Sequence, residues 1–215
     1  MSNEPTSAII LAGGASRRLG SDKRRLRLWG AHGPTLLERT LALANELCDE
    51  ALVALNDPEL WPELPARLVR DACVGAGPLG GIYAGLLACA HRYALVLACD
   101  MPFLQRDLLA AMLALPRDYD VLALRAGAPR ATRNDLGIEP LHAVYSRACL
   151  PTMREALETG ERQVAALFPR LRVRVLERAD YAAYDPDGLA LFSLNTPEQL
   201  DQARQRIATR VPDRA

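Results

Sequence analysis

The chain is poor in aromatic residues, carries no excess of charge, has no paired cysteines and lacks a long apolar run. Each shortage removes a class of protein. Aromatics make up 5% of the 215 residues, so Ala, Leu and Val must fill the core. Lys and Arg total 26 and Asp and Glu total 26, a formal net charge of zero. That balance argues against wholesale binding to nucleic acid or an anionic membrane and leaves room only for a local basic patch. No apolar run reaches the ~20 residues of a membrane span. The opening "MSNEPTSA" is polar and lacks the basic-then-apolar order of a secretory leader, so a cytoplasmic chain is expected. Five cysteines (Cys48, Cys73, Cys89, Cys99 and Cys149) are odd in number and never two or three residues apart. A disulfide framework or zinc ribbon is therefore not expected, and Cys89 and Cys99 read as small buried hydrophobes. Of the three histidines (His32, His91 and His142), none sits in a Ser–His–Asp-like setting. There is no internal repeat.

Half the residues are hydrophobic and 24% are charged, the mixture of a packed soluble domain. Short apolar runs read as strands at Ser7–Ala12, Glu50–Asn56, Arg67–Asp71, Tyr93–Asp100, Tyr119–Ala126, Glu139–Tyr145 and Arg170–Glu177. Helices are expected over Pro34–Leu47, Gly80–His91, Gln105–Leu115 and Ala148–Leu157. Thr35 with Glu38 forms a capping box, and Thr196 with Gln199 forms another that opens a final helix with Pro197 in its first position. "LFSLN" (Leu191–Asn195) reads as short and extended. Strand and helix alternate over the first two thirds. That order predicts an α/β fold, a Rossmann-like doubly wound, mostly parallel sheet in a single domain. The tail from about residue 209 to 215 is expected to fray.

In such a sheet, ligands bind beyond the carboxyl ends of the strands. Strand one ends in "LAGGASRRLGSDK" (Leu11–Lys23), with Gly13, Gly14 and Gly20. From Arg17 to Arg27 there are six basic residues and one acid, Asp22. Glycines let the backbone approach a ligand and aim N–H groups at an anion. The loop suits a triphosphate, with Arg18 and Lys23 as countercharge; a tight turn with a solvated basic surface is the plainer reading. A P-loop is excluded, because G-x-x-x-x-G-K-[ST] is absent. "GAGPLG" (Gly75–Gly80) matches G-x-G-x-x-G, and Asp100 follows at the spacing of a dinucleotide fingerprint. Pro78 and the glycine loop far upstream argue against that reading. Asp100 closes the fourth strand, where one carboxylate could hold Mg²⁺ with phosphate oxygens and waters. Asp71 closes the third, where it could accept two hydrogen bonds from a guanine edge or cap the turn.

"LAGGASRRLGSDK" fits L-A-G-G-x-S-x-R-x-G-x-D-K. With "GPLGGI", "CDMPFL", "EPLHAVY" and "LNTPEQL" in that order, the chain resembles the molybdenum cofactor guanylyltransferases from about Ile9 to about Leu200. The resemblance implies a cytoplasmic nucleotidyltransferase domain over residues 1–208 that uses Mg²⁺. Its members join GMP from GTP to the terminal phosphate of molybdopterin and release pyrophosphate. Carried over by position, Leu11, Ala12, Gly13, Gly14 and Asn56 would contact the nucleotide and Lys23 the phosphates. Asp71 would read guanine, Asp100 would hold the metal, and Asn195 would face the metal or pterin side. Fold logic, rather than the resemblance, puts the pterin over the second half near Arg130, Arg133 and His142, although His142 also reads as a buried structural histidine. Molybdoenzymes or cofactor-delivery proteins are the implied protein partners. Ser193 replaces the first asparagine of the family's N-x-N-T-P, Ala54 replaces one of N-x-N, and Arg24 and Arg25 stand where small or apolar residues are usual. The alternatives are a cytidylyltransferase acting on the same pterin, a sugar-nucleotide pyrophosphorylase, and a non-catalytic GTP- or cofactor-binding accessory protein.

Overall fold

Strand β1 (Thr6–Leu11) shows how the layers form. Ile9 packs under one helix, while its neighbours Ala8 and Ile10 pack under another on the opposite face. Successive strand residues point to opposite faces, so an apolar run without alternation must be covered on both sides. The chain is seen in a computed structural model that describes residues 4–13, 22–71, 75–127 and 136–210.

Six further strands complete one sheet: β2 (Glu50–Leu55), β3 (Arg67–Arg70), β4 (Tyr93–Ala98), β5 (Val121–Arg125), β6 (Ile138–Ser146) and β7 (Val173–Leu176). Their order is β3-β2-β1-β4-β6-β5-β7. All run parallel except β6, which is antiparallel to β4 and β5. The mostly parallel α/β sheet expected from the alternation is therefore present. The reversed β6 brings its own first residues, Ile138–Pro140, to the edge where the other strands end.

Helices α2 (Gly77–Ala88) and α4 (Leu150–Glu158) cover one face. Helices α1 (Leu36–Leu47) and α3 (Arg106–Ala114) cover the other. Thr35 and Glu38 form the expected reciprocal cap of α1: Glu38 N donates to Thr35 Oγ1 at 3.2 Å and Thr35 N to Glu38 Oε2 at 2.7 Å. Leu37, Leu41 and Ala44 are its buried stripe. Each fully buried leucine contributes roughly 1.5–3 kcal/mol.

Helix α2 starts three residues earlier than its sequence suggests. Pro78 falls in its first turn, where a missing N–H costs nothing. Gly85 lies directly over β1; a Cβ there would stand 2.6 Å from Ile9 Cγ2, so only glycine lets the helix settle at this depth. The short elements are not anticipated, among them a 3₁₀ segment over Val164–Arg170 and α5 (Arg178–Tyr181), capped by Glu177 and Asp180. Elements of four to seven residues are too short for periodicity to register. Helix α6 (Pro197–Arg210) opens with the expected Thr196–Gln199 box. "LFSLN" joins no ladder. It passes over the β4 end instead, with Leu194 N donating to Asp100 O at 2.9 Å.

Candidate active site

The ligand edge is built where β1, β2, β3 and β4 stop. Two hydrogen bonds extend the sheet's hold past the strand ends. Ala12 N donates to Ala54 O at 2.8 Å, and Cys99 N to Leu11 O at 3.2 Å. The Ala12 amide is thus committed to the sheet, and Gly13, which is exposed, is where the chain turns towards solvent. Leu11, Ala12, Gly13, Lys23, Asp100 and Leu141 line one cleft. Exposed Asn56 lies beside it, its amide nitrogen 3.5 Å from where a Gly13 Cβ would be.

Lys23 is the hub. It sits on a one-turn 3₁₀ helix (Lys23–Arg25) capped by Asp22. Its Nζ is 3.3 Å from Asp100 Oδ2 and donates to Asn195 Oδ1 at 2.9 Å. Three residues far apart in sequence therefore meet. Asn195 Nδ2 donates in turn to Ser193 Oγ at 2.9 Å, so Ser193 fixes which way the amide faces. The departure at Ser193 thus has a role. Ala54 is buried with its side chain under α2, in the core rather than in the lining of the cleft.

Among the described residues, no three His, Cys, Asp or Glu side chains gather into a metal site. The donor set nevertheless suits a hard cation. Asp100 Oδ2 and Asn195 Oδ1 already converge on one ammonium group. A divalent ion held there would draw its remaining oxygens from phosphate and water.

Asp71 stands one residue past β3, partly buried against the first turn of α2. A Cβ on Gly80 would be 2.3 Å from Asp71 Oδ1, so this glycine leaves the space that the carboxylate occupies. Glu139 enters from β6, where it pairs with Leu124 past a register shift, and stands close enough to Asp100 for the two charges to interact. Burial pushes the Glu139 carboxyl above its ordinary range, and the Asp100 charge adds to the effect. Glu139 was visible in "EPLHAVY" but not singled out, because only the reversed strand brings it here.

His142 is not brought to this cleft. It is wholly buried on the face opposite Leu141, within reach of the Ala190 backbone and Asp185. Burial pushes its imidazole down to about 4. The structural reading of this histidine therefore holds, except that neither ring nitrogen makes a well-formed hydrogen bond among the described residues. Cys89 and Cys99 are buried as expected, and burial pushes the Cys99 thiol up to about 12. Gly14, Arg17, Arg18, Gly20, Cys73, Arg130 and Arg133 lie outside the described residues, as do residues 211–215.

The basic run is not one phosphate-facing patch. Arg25 lies over the Trp61 ring at 4.1 Å and donates to Leu60 O at 2.7 Å. Arg27 donates to Gly33 O and lies 3.8 Å from Glu38. Arg24 is turned inward, with side-chain partners at Asp22 and Asp57. Of the four described cations in the run, Lys23 alone reaches the Asp100 carboxylate.

A mostly parallel sheet whose ligand edge carries an exposed glycine, a lysine and a carboxylate that suits a hard cation has the build of a nucleotidyltransferase. Residues 8–176 match the MobA-like NTP transferase domain, and the chain belongs to that family. A probable molybdenum cofactor guanylyltransferase from Chloroflexus aggregans is 43% identical over 208 residues, covering 94% of this chain and 95% of the relative. A molybdenum cofactor guanylyltransferase from Desulfosudis oleivorans is 33% identical over 205 residues, covering 95% and 96%. The same fold occurs in the crystal structure of molybdopterin-guanine dinucleotide biosynthesis protein A from Archaeoglobus fulgidus. That structure has a TM-score of 0.80 at 23% identity and covers 94% of this chain and 99% of its own. It also occurs, at TM-score 0.63 and 20% identity, in 2-C-methyl-D-erythritol 4-phosphate cytidylyltransferase from Thermus thermophilus, covering 95% and 98%.

Proposed function

We propose that this protein transfers GMP from GTP to the terminal phosphate of molybdopterin, forming the guanine dinucleotide cofactor and pyrophosphate. The observation that carries this reading is the junction of Lys23, Asp100 and Asn195 at the end of the glycine turn. An oxygen of the molybdopterin phosphate attacks the α-phosphorus of GTP. The bond from that phosphorus to the bridging oxygen breaks, and pyrophosphate leaves with the electron pair. The attacking phosphate is already ionised, so no protein base is required. The main tasks are positioning and charge neutralisation.

Lys23 stabilises the triphosphate, and Gly13 lets the backbone approach it. Leu11 and Ala12 form the floor beneath the nucleotide, and Asn56 lies at its flank. The Asp71 carboxylate accepts from the guanine edge. Asp100 and Asn195 would hold Mg²⁺, which when bound supplies positive charge to phosphate oxygens. Gly14 and Arg18 belong to the same loop by motif and carry the same assignment. The site needs GTP and the pterin phosphate and no protein partner for the chemical step. No described helix is long and apolar enough to cross a membrane, and a cytoplasmic location is part of this proposal.

The test is pyrophosphate release with GTP, CTP or ATP in the presence of Mg²⁺ and purified molybdopterin. Release with GTP alone is expected. Equal release with CTP, or release without molybdopterin at the same rate, would overturn the reading.

A further inference from the structure

The guanidinium of Arg24 ties both ends of one loop to the start of another. Its Nε donates to Asp22 Oδ1 at 2.9 Å and its Nη2 to Asp22 Oδ2 at 2.8 Å. Nη1 donates to Asp57 Oδ1 at 2.5 Å and Nη2 to Asp57 Oδ2 at 2.7 Å. Nη1 also donates to the Ala12 carbonyl at 3.2 Å. A guanidinium has five N–H donors in a fixed plane, and all five are directed here. The side chain is 11% exposed, and its face lies 5.1 Å from the Trp61 ring centroid. A charge this enclosed persists only because it is paired. The pairing is mutual: the hydrogen bond from Arg24 holds the Asp57 carboxyl below its ordinary range.

Each partner is the sequence neighbour of a residue given a role in nucleotide binding. Ala12 precedes Gly13, Asp22 precedes Lys23, and Asp57 follows Asn56. Ala12 and Asp22 also flank the glycine-rich loop on its two sides. One rigid planar group therefore sets the entry of that loop, its exit and the end of β2 relative to each other.

The structure assigns Arg24 as a positioning residue for the nucleotide: it borders the cleft, but its donors are directed at Ala12, Asp22 and Asp57, and through them it acts on Gly13, Lys23 and Asn56. This rests on the proposed nucleotide site. It differs from the reading of the basic run as countercharge, under which Arg24 would meet the triphosphate directly. A lysine cannot substitute, because an ammonium is a point charge without the fork that spans two carboxylates.

The experiment is calorimetric titration of GTP with Mg²⁺ into the wild-type protein and into K23A, R24A, R24K and D57N, together with steady-state kinetics and thermal melts. The assignment expects R24A and R24K to bind GTP at least about tenfold more weakly, a loss of one to two charge-assisted hydrogen bonds in effect. KM for GTP should rise more than kcat falls. D57N, which keeps shape and removes one charge, should weaken GTP by a smaller factor. Millimolar guanidinium ion should restore part of the R24A activity, and methylammonium should not. If R24A does not fold, R24K and D57N carry the same expectation. If R24K and D57N melt lower but bind GTP within twofold of wild type while K23A loses binding, Arg24 is only a fold residue and the assignment falls. If K23A itself binds GTP normally, the nucleotide site has been misplaced and the failure lies there.

Discussion

Asn195 donates its amide to Ser193 Oγ and presents its carbonyl to Lys23 Nζ, both at 2.9 Å. The short serine thus does what a second amide cannot be assumed to do in this chain: it fixes the orientation of the residue that meets the lysine. Ser193→Ala removes that restraint and leaves the backbone intact. The expected loss in kcat/KM for GTP is about fivefold, the value of one ordinary hydrogen bond. Asn195→Ala should cost more, since it removes the oxygen itself. Steady-state kinetics of the two variants side by side checks the order.

In the proposed site, Asp71 and the Gly80 beside it stand at the nucleobase end. Gly80→Ala would push a methyl group onto the Asp71 carboxylate and against the Ala76 side chain. The proposed guanine contact predicts that Asp71→Ala narrows the preference for GTP over ATP by at least about tenfold, as expected for a charged acceptor lost from a hydrogen-bonded edge. Gly80→Ala should narrow it in the same direction. Unchanged discrimination in Asp71→Ala would remove this residue from base recognition.

His142 gives the protein an acid-sensitive core. Its ordinary value is 6.5, and burial lowers it to about 4 in the fold; Asp185 favours the charged form but is outweighed. The unfolded chain therefore takes up a proton near 6.5 while the folded chain resists it. Stability from this group is complete above 6.5 and is lost as pH falls towards 4. The full difference is on the order of 3 kcal/mol. Urea midpoints should fall between pH 7.5 and 5, with the raised Glu139 carboxyl opposing the fall at the acid end. His142→Leu should flatten that slope, and an equally steep slope in the variant would contradict the assignment.

Gly85 sets the seat of α2 on β1. Gly85→Ala introduces a methyl group 2.6 Å from Ile9 Cγ2, and the core must shift to accept it. Overpacking of this kind costs about 1–3 kcal/mol. A lowered denaturation midpoint is expected. Ile9→Val in the same chain should recover part of the loss, because it trims the opposing side chain.

Much of this arrangement could be read before any coordinates. The strand and helix order and both capping boxes follow from local chemistry that repeats wherever those residues occur. An ordered set of motifs singled out Lys23, Asp100 and Asn195, whose side chains the fold brings together. Glu139 was not singled out, because its place depends on β6 running backwards, and an apolar strand carries no mark of its direction. The purpose of Arg24 was hidden for a related reason. Its partners Asp22 and Asp57 lie 35 residues apart in sequence, on loops that only the parallel β1–β2 pairing brings together. A run of basic residues reads as surface charge until the acids that neutralise it are placed.

The central claim is that Lys23 and Asp100 act on the phosphates of GTP, and pyrophosphate release by Lys23→Ala and Asp100→Ala tests it most directly. Both side chains are partly exposed, 16% and 23%, so neither substitution should unfold the protein. With GTP, Mg²⁺ and molybdopterin, turnover should drop at least about 100-fold in each variant, on the scale of removing a group that stabilises transition-state charge. The melting temperature should stay close to that of the parent. Near-normal turnover in either folded variant would contradict the account.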